Sequence, residues 1–137
     1  MEDLDYKVLR LLYQHYALKV GAISKKIEIP HSTIGSCIKR LETKKYVSYE
    51  RYKPVVLTEK GNDVAMELIR HARLLEMLLI NEFKIKAEAA HAECEKFNLL
   101  FSCDVINKIC ERYGHPKKCP CGEEILSSSF CICKNKD

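Results

Sequence analysis

Four of the chain's eight cysteines stand close together near its end, in "CPCGEEILSSSFCIC", as the Cys-x-Cys pairs Cys119 and Cys121, and Cys131 and Cys133. In an extended segment residues i and i+2 point to the same side, so each pair can present two thiolates to one ion. Between the pairs, Ser127, Ser128 and Ser129 supply an easy turn, and a hairpin there would gather all four sulfurs. Soft thiolates favour zinc, cuprous copper or an iron–sulfur cluster over manganese. Cys-x-x-Cys is the commoner zinc-knuckle spacing, so zinc and an iron–sulfur cluster both stay open as the transition-metal cofactor of this tail. The plainer alternatives are a reactive thiol switch and a disordered tail. Upstream, Cys103 and Cys110 share one helix face and Cys94 adjoins Glu95. They are either apolar fillers or further ligands of the same site.

A second chemistry is written in nitrogen and oxygen. His91 and Glu95 lie i, i+4 in "KAEAAHAECEKFN", a usable metal-ligand spacing that a solvated helix face shows equally well. Glu76 is the one polar residue in "LLEMLLI". Either it bends out to water or, if buried, it needs a cation or strong donors to offset its desolvation.

These residues need elements to hold them. "TEKGNDVAMELIRHARLLEMLLINEF" reads as one long helix capped by Thr58. Its later part is apolar nearly all round and must be covered on more than one side, which predicts a symmetric homodimer. Further upstream, "LDYKVLRLL" carries Leu4, Val8, Leu11 and Leu12 on one helical stripe. "GAISKKI" fits a short helix with Ile23 and Ile27 inward. After a turn at Pro30, a third helix capped by Ser32 or Thr33 would bury Ile34, Ile38 and Leu41, with Cys37 also in the core.

Two helices joined by a tight turn, the second opening on small polar residues, form a helix-turn-helix pattern. Ser32, Thr33, Gly35 and Ser36 are small enough for the helix start to approach base edges and phosphates, and Lys39, Arg40, Lys44 and Lys45 follow where they can touch backbone. "YVSYERYKPVVLT" alternates Val47 and Tyr49, then Val55 and Leu57, as a hairpin with Arg51, Tyr52 and Lys53 at a basic tip. His15 and His31 read as ordinary surface residues. The bland alternative is a small helical core with solvated lysines.

Charge placement agrees with a polyanion partner: residues 1–60 hold twelve Lys and Arg against seven Asp and Glu, while the rest of the chain is nearly balanced. "MEDLDYK" lacks the apolar segment of a secretory signal, and "MLLI" is far too short to cross a bilayer. The expectation is a cytoplasmic protein with reduced thiols, no membrane partner and no small-molecule substrate. No catalytic motif accompanies the cysteines, so a thiol redox enzyme lacks support. A metal-storage protein would leave the helix-turn-helix without a role.

Through "ISKKIEIPHSTIGSCIKRLETKKYV", "LTEKG", "RLLE", "HAECE" and "GHPKKCPCGEEI", in that order, the chain resembles the metal-dependent repressors of the diphtheria toxin repressor type, in their short form. The resemblance covers roughly residues 4–125. It implies a mainly α protein: a winged helix-turn-helix DNA-binding domain at 1–62 and a helical dimerisation and metal-sensing domain at 63–118, followed here by the Cys-rich metal-binding tail at 119–137. It also implies a metal-loaded homodimer that represses by binding double-stranded operator DNA. Pro30, Ser32, Thr33, Gly35 and Ser36 fall where relatives contact DNA, and Glu76, His91 and Glu95 where they bind iron or manganese.

The pattern also departs from the family. Ala72 stands where relatives have a His, with His71 one place early; Asn98 and Leu99 replace a Glu-His pair; Lys7 replaces a Met or Asp; and Cys121 replaces a tail His. The resulting expectation is a sensing site moved from a mixed N/O pocket to a thiolate one, whose occupancy sets recognition-helix spacing to successive major grooves, about 34 Å apart. The alternative is a purely structural zinc tail on a regulator that senses another signal.

Overall fold

The computed structural model describes residues 2–96, 102–120 and 122–126. The chain divides into two compact units, Met1–Met66 and Glu67–Asp137.

In the first unit three helices, α1 (Asp3–His15), α2 (Val20–Ile27) and α3 (His31–Thr43), accompany a small sheet. Its strands β1 (Ala17–Leu18), β2 (Val47–Ser48) and β3 (Val55–Leu57) are antiparallel in the order β1-β3-β2. Val47 faces Leu57 across β2 and β3, which makes "YVSYERYKPVVLT" the hairpin its alternation predicts. β1 was not anticipated: two residues are too few to show a period, and only the pairing of Ala17 with Val56 and of Leu18 with Val55 defines it. The core is Val8, Leu9 and Leu12 of α1, Ile23 of α2, and Ile34, Cys37, Ile38 and Leu41 of α3, with Val47 and Val55. Leu9 takes the inner place expected of Leu4 and Leu11, which are half-buried.

The expected cap of α3 is corrected. Pro30, not Ser32 or Thr33, is the N-cap residue; its carbonyl accepts from the amides of Thr33 at 3.0 Å and Ile34 at 3.1 Å. Proline has no N–H to lose there and its fixed φ suits the entry. Ser32 and Thr33 are thereby left exposed in the first turn rather than turned back on the backbone as caps.

α4 (Glu59–Phe83) begins in the first unit and continues into the second. Thr58 caps it as expected: its hydroxyl accepts from the Gly61 amide at 3.1 Å and donates to the Lys45 carbonyl at 2.6 Å. Gly61 is required by close approach, since a Cβ there would overlap the Tyr46 carbonyl. The second unit adds α5 (Ala87–Cys94) and α6 (Cys103–Arg112), the latter capped by the Ser102 hydroxyl. Ala72, Leu74, Leu75, Cys94, Ile106, Cys110, Cys119 and Ile125 form its buried cluster. Cys103 at the start of α6 meets α4 at Glu67 and His71, and Arg112 at its end meets Glu82, so the two helices run side by side in one direction. No helix among the described residues is long and apolar enough to cross a membrane.

Candidate metal centre and nucleic-acid interface

α3 buries Ile34, Cys37, Ile38 and Leu41, and this fixes its opposite face outward. Ser32, Thr33, Ser36 and Lys39 are exposed there. Gly35 lies on the same side, and a Cβ built on it would meet no atom within 4 Å. A glycine inside a helix lowers its stability, and no close approach among the described residues calls for this one. At the hairpin tip, Arg51, Tyr52 and Lys53 are exposed, with the Arg51 guanidinium 5.0 Å from the Tyr52 ring centre and Lys53 paired to Glu50 at 2.6 Å.

Arg40 is engaged differently from its lysine neighbours. Its guanidinium donates to Asp5 at 2.7 Å and lies 3.4 Å from Glu2, fastening α3 to α1. Burial alone would raise the Asp5 carboxyl, but hydrogen bonds from Arg40, the Cys37 thiol and the Glu2 amide outweigh it and hold the group below the usual carboxylate range. The same contact disarms Cys37: burial and the Asp5 carboxylate push its thiol up to about 12, so it is an inert core residue.

In the second unit the structure gathers Glu76, His91 and Glu95. His91 stands between the two carboxylates, Nδ1 3.3 Å from Glu76 Oε2 and Nε2 3.2 Å from Glu95 Oε1. Glu76 does not bend out to water: it is 2% exposed, and among the described residues its Oε1 has no hydrogen-bond partner. A buried carboxylate oxygen left without a donor is costly, and a cation would relieve it. Two carboxylates and an imidazole are donor types that suit manganese, iron or zinc; Glu76 and Glu95 meet opposite nitrogens of the His91 ring, so the side chains would have to turn for all three to share one ion. Ala72, in the buried cluster, has no donor to add.

The cysteines separate into distinct surroundings. Cys94, Cys110 and Cys119 belong to the buried cluster, with Cys110 Sγ 3.4 Å from His115 Nδ1. Cys103, at the other end of α6, lies against Glu67 and His71. Glu67 Oε2, His71 Nε2 and Cys103 Sγ all fall within 4.8 Å of one another, the one such group of three among the described residues. Sequence reasoning missed Glu67 and noted His71 only as displaced, although "ELIRH" carries a Glu-x-x-x-His spacing. That spacing was a usable signal; the arrival of Cys103 was not. In the tail, the Gly122 amide donates to the Cys119 carbonyl and the Cys119 amide to the Glu123 carbonyl, closing a tight turn. Cys121, Cys131 and Cys133 lie outside the described residues, as do Asn98 and Leu99.

Residues 58–127 match the family model for the iron dependent repressor, metal binding and dimerisation domain, and residues 2–53 match that of the MarR family. An HTH-type transcriptional regulator MntR from Shouchella clausii is 32% identical over 76 residues, which is 56% of this chain and 53% of that protein. The chain thus spans about half the length of the curated relatives it matches. Among solved structures, a hypothetical protein of Sulfolobus solfataricus superposes with a TM-score of 0.78 at 26% identity, covering 93% of this chain and all of its own. A manganese-dependent transcriptional repressor in complex with manganese shares the fold, with a TM-score of 0.80 at 23% identity over 90% of this chain and 58% of its own.

Proposed function

The chain belongs to the iron-dependent repressor family, and from that premise we propose that it is a metal-dependent transcriptional repressor, not an enzyme, that binds double-stranded operator DNA as a homodimer. The observation that carries the metal half is the buried, half-unpartnered carboxylate of Glu76 facing His91. Glu76, His91 and Glu95 would hold the ion, and a bound divalent cation supplies the positive charge that this buried carboxylate lacks. Glu76 sits on α4 and His91 on α5, so these side chains tie one helix to the other when they share a ligand. Ligation can shift DNA affinity only as far as it favours the DNA-competent arrangement over others.

The DNA half rests on the exposed face of Ser32, Thr33, Gly35, Ser36 and Lys39, beside the turn at Pro30, with Arg51 and Lys53 on the wing. Arg40 supports this face by holding α3 on α1. A second copy of the chain is the covering expected for Leu78, Ile80 and Phe83, which the described residues leave half-buried or, for Phe83, 65% exposed.

Fluorescence anisotropy on a DNA fragment selected by the metal-loaded protein tests the proposal. Chelation should release the fragment, manganese or iron should restore binding, and His91→Ala should bind the fragment as weakly as the chelated parent whether or not metal is added. Binding indifferent to chelator and to every added metal would sink it. A second reading is favoured by the tight turn at Cys119: the tail cysteines Cys119, Cys121, Cys131 and Cys133 hold zinc or an iron–sulfur cluster of their own. Anaerobic purification with iron, zinc and sulfide measured per chain separates the cases. Matched iron and sulfide identify a cluster; one colourless zinc identifies a staple.

A further inference from the structure

We propose a second metal site, distinct from Glu76, His91 and Glu95, in which Glu67 Oε2, His71 Nε2 and Cys103 Sγ bind a borderline divalent cation of the zinc or ferrous class. Glu67 and His71 are one turn apart on α4, and Cys103 is the first residue of α6. The three ligand atoms form a triangle with sides of 3.3 Å between oxygen and nitrogen, 3.9 Å between sulfur and oxygen, and 3.9 Å between sulfur and nitrogen.

That triangle can be compared with the face of a tetrahedron. Zinc bonds of about 2.3 Å to sulfur and about 2.0–2.2 Å to nitrogen and oxygen, at tetrahedral angles, place the ligands about 3.4 Å apart for N and O and about 3.6 Å apart for S with either. The observed sides depart from those edges by about 0.3 Å at most, a shift that side-chain torsions absorb without moving either helix. The surroundings are equally suitable. His71 is 2% exposed, while Glu67 and Cys103 are half-buried, so the site is walled on one side and open on another. Three protein ligands leave a fourth position for water or another donor.

Without metal, burial and the nearby Glu67 carboxylate hold Cys103 as a thiol, with the Arg70 guanidinium opposing them. A cation reverses that balance and displaces the proton. One feature limits affinity: among the described residues His71 Nδ1 has no hydrogen-bond partner, so the ring lacks the acceptor that strengthens a metal-bound imidazole. The sulfur sets the selectivity. A thiolate favours zinc, ferrous iron or cobalt over manganese, whereas the all-N/O set at Glu76, His91 and Glu95 accepts manganese.

The test is anaerobic titration of the full chain with Co²⁺, read by thiolate-to-cobalt charge-transfer absorption in the near ultraviolet, with bound metal counted after desalting. Cys103→Ser should lose one equivalent and the corresponding absorption while keeping the helical circular dichroism of the parent. His71→Gln and Glu67→Gln should weaken the same equivalent at least tenfold with the thiol still present. Excess Mn²⁺ should leave this signal in place. His91→Ala should leave it intact as well, so failure of the DNA-regulating site and failure of this one give different results. Identical stoichiometry and absorption in the parent, Cys103→Ser and His71→Gln would overturn the proposal and assign all thiolate signal to the tail.

Discussion

Gly35→Ala should make the protein more stable and a poorer DNA binder at once. In a helix interior glycine is about 0.8–1.0 kcal/mol less favourable than alanine. That gain is usually offset where a Cβ collides with a neighbour, but here the added atom has no neighbour within 4 Å. The full propensity gain, about 1 kcal/mol, is therefore expected. It corresponds to a rise in melting temperature of about 4–8 °C if the first unit melts by itself. The same methyl projects from the face bearing Ser32, Ser36 and Lys39. If DNA packs there as closely as atoms do in an interior, overfilling the contact costs about 1–3 kcal/mol, roughly a five- to 150-fold loss of affinity. Thermal denaturation followed by circular dichroism reads the first effect, and anisotropy at fixed salt with saturating metal reads the second. A more stable variant with unchanged affinity would refute the placement of this helix start against DNA. A less stable one would refute the open space around Gly35.

Gly61→Ala should have the opposite outcome, a loss of at least about 2 kcal/mol in urea denaturation, because the new Cβ must displace the Tyr46 backbone beside the hairpin. Arg40→Ala should cost about 1–3 kcal/mol, less than a fully buried pair because Arg40 keeps 36% of its side chain in water, and no loss on denaturation would show that the clamp to Asp5 is idle. Asp5, depressed in the folded state, contributes stability that is present above its unfolded pKa and lost as pH falls through the lower folded value. Acid titration below about pH 4 should therefore unfold the parent more steeply than Asp5→Asn, which is already weakened at neutral pH. Glu76→Gln should raise stability in chelator by removing a buried carboxylate, and lose the metal-induced stabilisation of about 2.7 kcal/mol expected at a hundredfold excess over Kd; an unchanged metal response would move the ion elsewhere. Arg51→Ala should weaken binding to all sequences alike and reduce the slope of log affinity against log salt by about one.

Much of the first unit was legible because its signals are local. The inward spacing of Ile34, Ile38 and Leu41, the alternation around Arg51, and the Thr58 cap each depend on residues within a few positions, and the structure realises all three. The i, i+4 pair His91 and Glu95 was legible for the same reason. Where local signals compete, sequence reasoning fell short: three polar or turn-forming residues, Pro30, Ser32 and Thr33, could each open α3, and backbone geometry chose Pro30.

Tertiary structure alone decided the rest. Lys39 and Arg40 look alike as basic residues, yet only Arg40 is reached by Asp5, thirty-five positions away. Glu76 could equally have faced solvent until packing buried it against His91. Cys110 meets His115 only five positions on, whereas Cys103 on the same helix reaches Glu67 and His71, more than thirty positions back, because α6 lies along α4. Residue types and short-range periodicity determine which helices form and which faces are apolar. The meeting of side chains thirty residues apart depends on how those faces pack, and no short-range period encodes that.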